Sequence, residues 1–283
     1  MIGMFARFAK RFALLIPGLV IVYLSVHTIF PLFDTRLPLA LAILVTYIAG
    51  AYLLIPALIR LIRVLAPARH IQAYSVTPDG FASDPVNIGI VGTDRELLTA
   101  MRSIGWEVAD PHTPRYLLRA IASTIFNRPY PTAPMSNLYL FGRKQDIGFE
   151  KIIKGERGHR HHVRFWAATY RDGTDLSTGK INWHQHRARR QSGAALWVGA
   201  ASRDIGLAFI MHNVQVTHMI HPDTNVEREL IIGGLKRAGL VAATESIRLR
   251  RPYRLPNRAW GGSLDSDGRL IIVKLKSQAA SSK

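Results

Sequence analysis

The chain, 283 residues long, has no cysteine. Disulfides, thiolate nucleophiles and Cys-ligated zinc are excluded at once, and the absence fits a reducing compartment. Acidic residues are scarce, with 19 Asp and Glu against 37 Lys and Arg and a formal charge of +18. Signatures of nucleotide binding and serine hydrolysis are missing. Gly89 to Thr93 lacks the Gly-Lys-Ser/Thr ending of a P-loop, and no Gly-x-Ser-x-Gly elbow occurs. No RRM, KH, zinc-finger or helix-turn-helix pattern directs the basic charge toward nucleic acid. No linker rich in Gly, Ser or Pro divides the residues beyond 70, so they read as one domain.

Two long apolar runs without Asp, Glu, Lys or Arg are present, Phe12 to Phe33 (22 residues) and Leu37 to Ile59 (23 residues). A helix needs about 20 apolar residues to cross the hydrocarbon core, so each is long enough to span. Only Asp34-Thr35-Arg36 separates them, which predicts a tight transmembrane hairpin over residues 1–70. Arg7, Lys10 and Arg11 precede the first run and Arg60, Arg63 and Arg69 follow the second, so both termini are expected on the cytoplasmic side. The remaining 213 residues keep an excess of 12 positive charges (30 basic against 18 acidic). Tethered near a bilayer, that excess points to anionic lipid headgroups.

Beyond the anchor, the pattern is that of a mixed-sheet α+β domain over 71–276, with a small polar tail over 277–283. Val86 to Val91 reads as a strand. Thr93 with Glu96 has capping-box spacing, and Leu97, Leu98, Met101 and Ile104 continue a helix that Gly105 stops. A similar phrase runs from Thr217–Ile220 through Glu227-Arg228-Glu229-Leu230 to Gly239. Leu138 to Gly142, Val163 to Ala167, Leu196 to Ala201, Ser246 to Leu249 and Leu270 to Leu275 read as further strands, and the basic stretch Arg171 to Ser192 as an inserted loop. Asp146-Ile147-Gly148 and Asp204-Ile205-Gly206 echo each other after strand-like runs and mark a candidate paired acidic site.

The densest polar cluster is Gly158-His159-Arg160-His161-His162-Val163-Arg164-Phe165-Trp166. On a strand, His161, Val163 and Phe165 take the core face, while Arg160, His162, Arg164 and Trp166 take the other. That second face reads either as a phosphate or carboxylate cradle or as a solvated basic surface. His159-x-His161 and His184-x-His186 have the spacing of paired metal ligands on a strand, but the arginines around them repel a cation. The cofactor is left open.

Tyr139-Leu140-Phe141-Gly142-Arg143 with Gln145-Asp146, Phe149-Glu150-Lys151, Arg160 to Trp166, Trp197-Val198-Gly199-Ala200 with Arg203-Asp204, and Thr217-His218 with Pro222 and Glu227-Arg228 follow one another in an order that resembles the LssY C-terminal domain family, over about residues 80 to 245. The resemblance implies a bacterial inner-membrane protein of no established activity, free-standing or fused behind DedA-like or lipid-phosphatase-type membrane domains. With the hairpin alone, no phosphatase site is carried over. The implied surroundings are phospholipid or polyprenyl-phosphate traffic. The residues carried over are Asp146, His162, Asp204 and His218 as catalytic candidates, with Arg143, Glu150, Arg164 and Arg203 as ligand-binding candidates. Three readings stand: an anchored domain engaging anionic headgroups or a phosphorylated lipid intermediate, a hydrolase or transferase on a phosphate-bearing lipid, and a scaffold for another membrane protein. Convergence of these side chains in one concave pocket favours the enzyme; dispersal over a convex basic face favours binding.

Overall fold

Two units form separately in the computed structural model, which describes residues 18–58 apart from 56, residue 61, 71–126 apart from 79 and 112, 130–153, 160–168, 195–210, 215–256 and 262–276. The inserted loop Arg171 to Ser192, the tail, His159, His184, His186 and the basic residues flanking the apolar runs lie outside the described residues. One unit holds residues 1–67 with 78–81; the other holds 68–77 with 82–283.

The first unit is helical from residue 18, through a π-helical turn Ser25–Ile29 and a 3-10 turn Phe30–Leu32, to a chain reversal. The amides of Phe33 and Asp34 donate to the Phe30 carbonyl, and those of Arg36 and Leu37 to Phe33. Pro38, extended at ψ 141°, starts α1 (Leu39–Ala49), which continues into a π-helical turn Gly50–Leu54. A Cβ placed on Gly50 would lie 3.2 Å from Ser25 Oγ, so glycine lets the two arms of the hairpin approach closely. The reversal around Asp34-Thr35-Arg36 is therefore present. Among the described residues no helix is long and apolar enough to cross a membrane. The first run begins outside them, and the second changes from α to π at Gly50.

The second unit is the α+β domain. Its large mixed sheet orders β11 (Val241–Arg248), β14 (Arg269–Leu275), β3 (Ile88–Gly92), β9 (Ala195–Ile210), β8 (Arg160–Ala168), β7 (Ile147–Lys151) and β4 (Glu107–Val108), with β10 (Gln215–Ile220) pairing the far half of β9. All neighbours are antiparallel except β14 beside β3. A smaller sheet orders β2 (Ala82–Pro85), β1 (Tyr74–Val76), β5 (Tyr139–Leu140) and β6 (Arg143–Lys144), and β12 (Tyr253–Pro256) pairs β13 (Ser263–Ser266).

One face of the large sheet is covered by α2 (Asp94–Ser103) and α4 (Asn225–Arg237), whose Leu97, Met101, Ile231 and Leu235 pack on Ile90, Val163, Phe165 and Trp197. The Thr93–Glu96 capping box forms, and Gly105 at φ 77° ends the turn that follows α2. A further helix, α3 (Pro114–Ile125), was not legible as an element in the sequence. The opposite face is buried as well. Ile71, Val86, Leu138, Leu140 and Phe141 lie over Trp166, Leu196, Val198 and Ile272. Around β8 the sheet is covered on both sides, which excludes the reading of the Arg160, His162 and Arg164 face as a solvated basic surface. From His161 to Ala168 every residue of β8 is buried.

Candidate functional site

The site forms where the second face of the sheet changes from apolar to polar along a single strand. Trp166 and Ala168 fill the apolar part; Arg164, His162 and Arg160 follow at two-residue spacing on the same face. Register places Glu150 of β7 opposite His162, with Ser202 of β9 on its other side, and sets Asp204 opposite Arg160. The second layer supplies Asp84 from β2 and the segment around Ser136. Together they enclose a cavity of about 120 Å³ lined by Ser83, Asp84, Met135, Ser136, Glu150, Arg160, His162, Arg164 and Asp204. Cavities that enclose a whole drug-sized ligand run to roughly 300–1,000 Å³, so only a small group enters this one.

Asp84 is the hub. Arg164 Nη1 donates to its Oδ2 at 2.8 Å, and the Ser202 hydroxyl donates to the same oxygen at 3.0 Å. The other guanidinium nitrogens of Arg164 are spent on Ser136, Nε on its carbonyl and Nη2 on its hydroxyl, each at 3.2 Å. Because Ser202 gives its proton to Asp84, its oxygen accepts from His162 Nε2 at 2.7 Å. The other ring nitrogen, Nδ1, lies 3.6 Å from Asp204 Oδ1. The imidazole is thus flanked by carboxylates at both nitrogens, with Asp84 Oδ2 3.6 Å from Nε2.

The electrostatics follow. Burial opposes the imidazolium, but Asp204 and then Asp84 outweigh it, and the pKa of His162 is raised above its ordinary 6.5. Burial also opposes ionised Asp84; the bond to His162 and the Arg164 charge prevail, and its pKa lies below 3.8. Glu150 goes the other way. Burial pushes its carboxyl up to about 7, with Asp204 adding to the rise against the opposing charges of Arg160 and His162. It is 4% exposed, and among the described residues its Oε2 has no hydrogen-bond partner. Two carboxyls with divergent proton affinities beside one histidine make an arrangement suited to proton transfer.

Of the residues singled out from sequence, Glu150, His162, Arg164 and Asp204 converge here. Arg143 and Asp146 do not line the cavity. They pair with each other and fasten the β6–β7 connection to β8: Asp146 Oδ2 accepts from the Ala167 amide at 2.7 Å, and Arg143 Nη2 donates to the Ala167 carbonyl at 2.5 Å. The paired acidic site read from the Asp-Ile-Gly echo is corrected accordingly, since Asp204 is grouped with Asp84 and Glu150. Arg203 sits opposite His161 in the ladder, and His161 bonds Glu227 of α4 at 2.8 Å, on the helix-covered side of the sheet. His218 is paired with Leu207 in the β10–β9 ladder, and its side chain lies outside the described residues.

Sequence reasoning missed Asp84 and Ser202. Asp84 falls just before the first strand read from the sequence, Val86 to Val91, and the available signal was Ser83-Asp84-Pro85, a short polar strand end. Ser202, two residues before Asp204, was open to the alternation argument that placed His162 and Arg164 on one face. Among the described residues no group of three or more His, Asp or Glu is arranged to hold a metal ion. The engagement of Asp84 with Arg164 and Ser202 accounts for one carboxylate that such a group would need.

A profile described as LssY C-terminus matches residues 68–270. The chain belongs to that family. The match extends beyond both ends of the motif series, so this LssY C-terminus domain includes Asp84 and the β12–β13 hairpin as well as the carried-over motifs. No curated protein and no solved structure matches the chain.

Proposed function

We propose that this LssY C-terminus protein is held at the bacterial inner membrane by its apolar hairpin and performs acid–base chemistry, as a hydrolase or transferase, on a phosphate-bearing lipid headgroup. The observation that carries the chemistry is the buried Glu150 carboxyl, near neutrality in pKa, with an unbonded oxygen in the same cavity as His162 and Asp204. Glu150 is the proton-transferring group. Asp204 and Asp84 raise the pKa of His162 and so favour its charged form beside the cavity, and Arg160 adds charge at the cavity lining. Arg164 serves as a brace for Asp84, because each of its three guanidinium nitrogens donates to Asp84 or Ser136.

Membrane residence is supported by apolar side chains left open along the hairpin. Leu19, Val22, Tyr23, Leu32, Leu39, Ile43, Leu44 and Leu53 are all exposed, a density that water does not favour. The distribution of Arg7, Lys10, Arg11, Arg60, Arg63 and Arg69 around a connecting loop with only Arg36 supports cytoplasmic termini. The small cavity volume supports entry of a phosphate-sized group, with the lipid chains remaining outside.

The second reading, headgroup binding without turnover, is favoured by the excess of 12 positive charges beyond residue 70. One experiment separates the two. The purified full chain in vesicles containing a radiolabelled polyprenyl phosphate or phosphatidic acid should release or transfer labelled phosphate, with a rate that Glu150→Gln lowers by roughly 10²-fold or more, within the usual range for general acid–base catalysis. Retained binding with no turnover by the unmodified protein favours the binding reading. Turnover that Glu150→Gln leaves unchanged overturns the assignment of Glu150.

A further inference from the structure

Helix α3 turns an apolar and basic arc outward. Leu118, Ala122 and Phe126, at i, i+4 and i+8, are exposed, the two large ones at 67% and 68%. Arg115 and Arg119 are exposed on the same arc, since helical spacing of 100° per residue places all five within about 100° of one another. Among the described side chains of α3, Ser123 is buried and Tyr116 and Ala120 are half-buried. The position of Arg119 is held in place. The Arg119 guanidinium lies 4.3 Å over the Tyr130 ring, and the Tyr130 hydroxyl donates to Asp110 Oδ2 at 2.5 Å, which with burial pushes its pKa up to about 12.

We infer that the outward arc of α3 docks the domain on an anionic bilayer surface, with Leu118 and Phe126 among the upper acyl chains and Arg115 and Arg119 on headgroup phosphates. Charge complementarity selects this occupant. A protein of net charge +18 with two arginines beside two exposed large apolar side chains matches an anionic lipid interface, where insertion of apolar groups and attraction to phosphate act together. The inference rests on the membrane residence proposed above, but it concerns a separate surface of the α+β domain.

The absence of native cysteine makes a single-site label direct. Full-length Leu118→Cys carrying an environment-sensitive fluorophore is reconstituted into phosphatidylcholine vesicles with or without phosphatidylglycerol, and Glu245→Cys, on an exposed part of β11, is the reference. With phosphatidylglycerol, the label at 118 should shift to the blue and be quenched by lipid-borne quenchers. Both signals should fall at high salt and with Arg115→Glu, while the label at 245 stays aqueous. If the protein floats with the vesicles but the 118 label remains aqueous, the docking face is refuted and membrane residence stands. If the protein does not float with vesicles at all, both fail. A blue shift that needs no lipid and grows with protein concentration also refutes lipid docking and assigns the arc to self-association.

Discussion

Glu150 offers the sharpest quantitative test, because its perturbation has a sign, a size and a pH window. Its carboxyl goes from an ordinary 4.5 to about 7 in the folded protein. The folded state therefore binds the proton more tightly than the unfolded state. Stability from this group is fully present below pH 4.5 and falls as pH rises toward 7, after which the loss is constant. The shift of about 2.5 units corresponds to roughly 3 kcal/mol at about 1.4 kcal/mol per unit. His162, also raised, loses stability in the same direction, but only above its ordinary 6.5, and Asp84, lowered, acts only below 3.8. Among the described residues whose pKa is clearly shifted, the interval from 4.5 to 6.5 thus isolates Glu150. Glu150→Gln keeps the shape and cannot ionise, so in chemical denaturation the variant should show almost no decline over that interval, whereas the unmodified protein should lose about 2–3 kcal/mol. Above pH 7 the variant should be the more stable, by an amount reduced to the extent that the amide nitrogen lacks an acceptor. Parallel pH profiles for the two proteins would refute the reasoning, and with it the claim that the cavity holds a protonated carboxyl at neutral pH.

Asp84→Ala should cost about 3–5 kcal/mol in unfolding free energy, because it strands the buried Arg164 guanidinium. Asp84→Asn should flatten the acid limb of stability, which the native residue loses as pH falls through its depressed pKa. Gly199→Ala should lower the thermal midpoint markedly, since the new Cβ would lie 2.5 Å from Phe165 Cε1 and 2.8 Å from Ile88 Cγ2; overpacking of this kind costs about 1–3 kcal/mol. Thr93→Ala should cost about 0.5–2 kcal/mol through loss of the α2 cap, with activity toward any substrate unaffected.

The elements legible in the sequence were those whose signals are local. Thr93, Glu96 and Gly105 bracketed α2 because capping is decided within a few residues. Strands β3, β9 and β14 were legible as apolar runs between turn residues. The site was half legible: alternation set Arg160, His162 and Arg164 on one face correctly, but could not decide between a cradle and a solvated surface, and the structure excludes the solvated one. What covers that face is β1, β2 and the Ser136 segment, contributed by chain 80 residues upstream of Arg164 in the case of Asp84. Nothing local in Arg160 to Trp166 encodes that cover. His162 and Asp204 are buried for the same reason. The Asp-Ile-Gly echo misled because two chemically identical tripeptides meet different neighbours: Asp146 finds the Ala167 amide and Arg143, whereas Asp204 finds His162.

The arrangement of satisfied and unsatisfied groups distinguishes a brace from a site. Burying ionic groups between layers is costly, and apolar residues of similar size would serve stability at least as well. The same face does so farther along the strand, where Trp166 packs with Leu196 and Val198. At the polar end, Arg164 and Ser202 both donate to Asp84, and Arg164 also donates to Ser136, so that network is internally paired. Glu150 breaks the pattern: it is inside the cluster, lines the cavity, and keeps Oε2 without a bond among the described residues. A buried carboxyl oxygen in that state is stabilised by holding a proton or by meeting a donor from outside the protein. With its pKa pushed up to about 7, the Glu150 carboxyl meets the first condition at lower pH, and the proposed reaction would meet the second with a small protic group that enters the cavity.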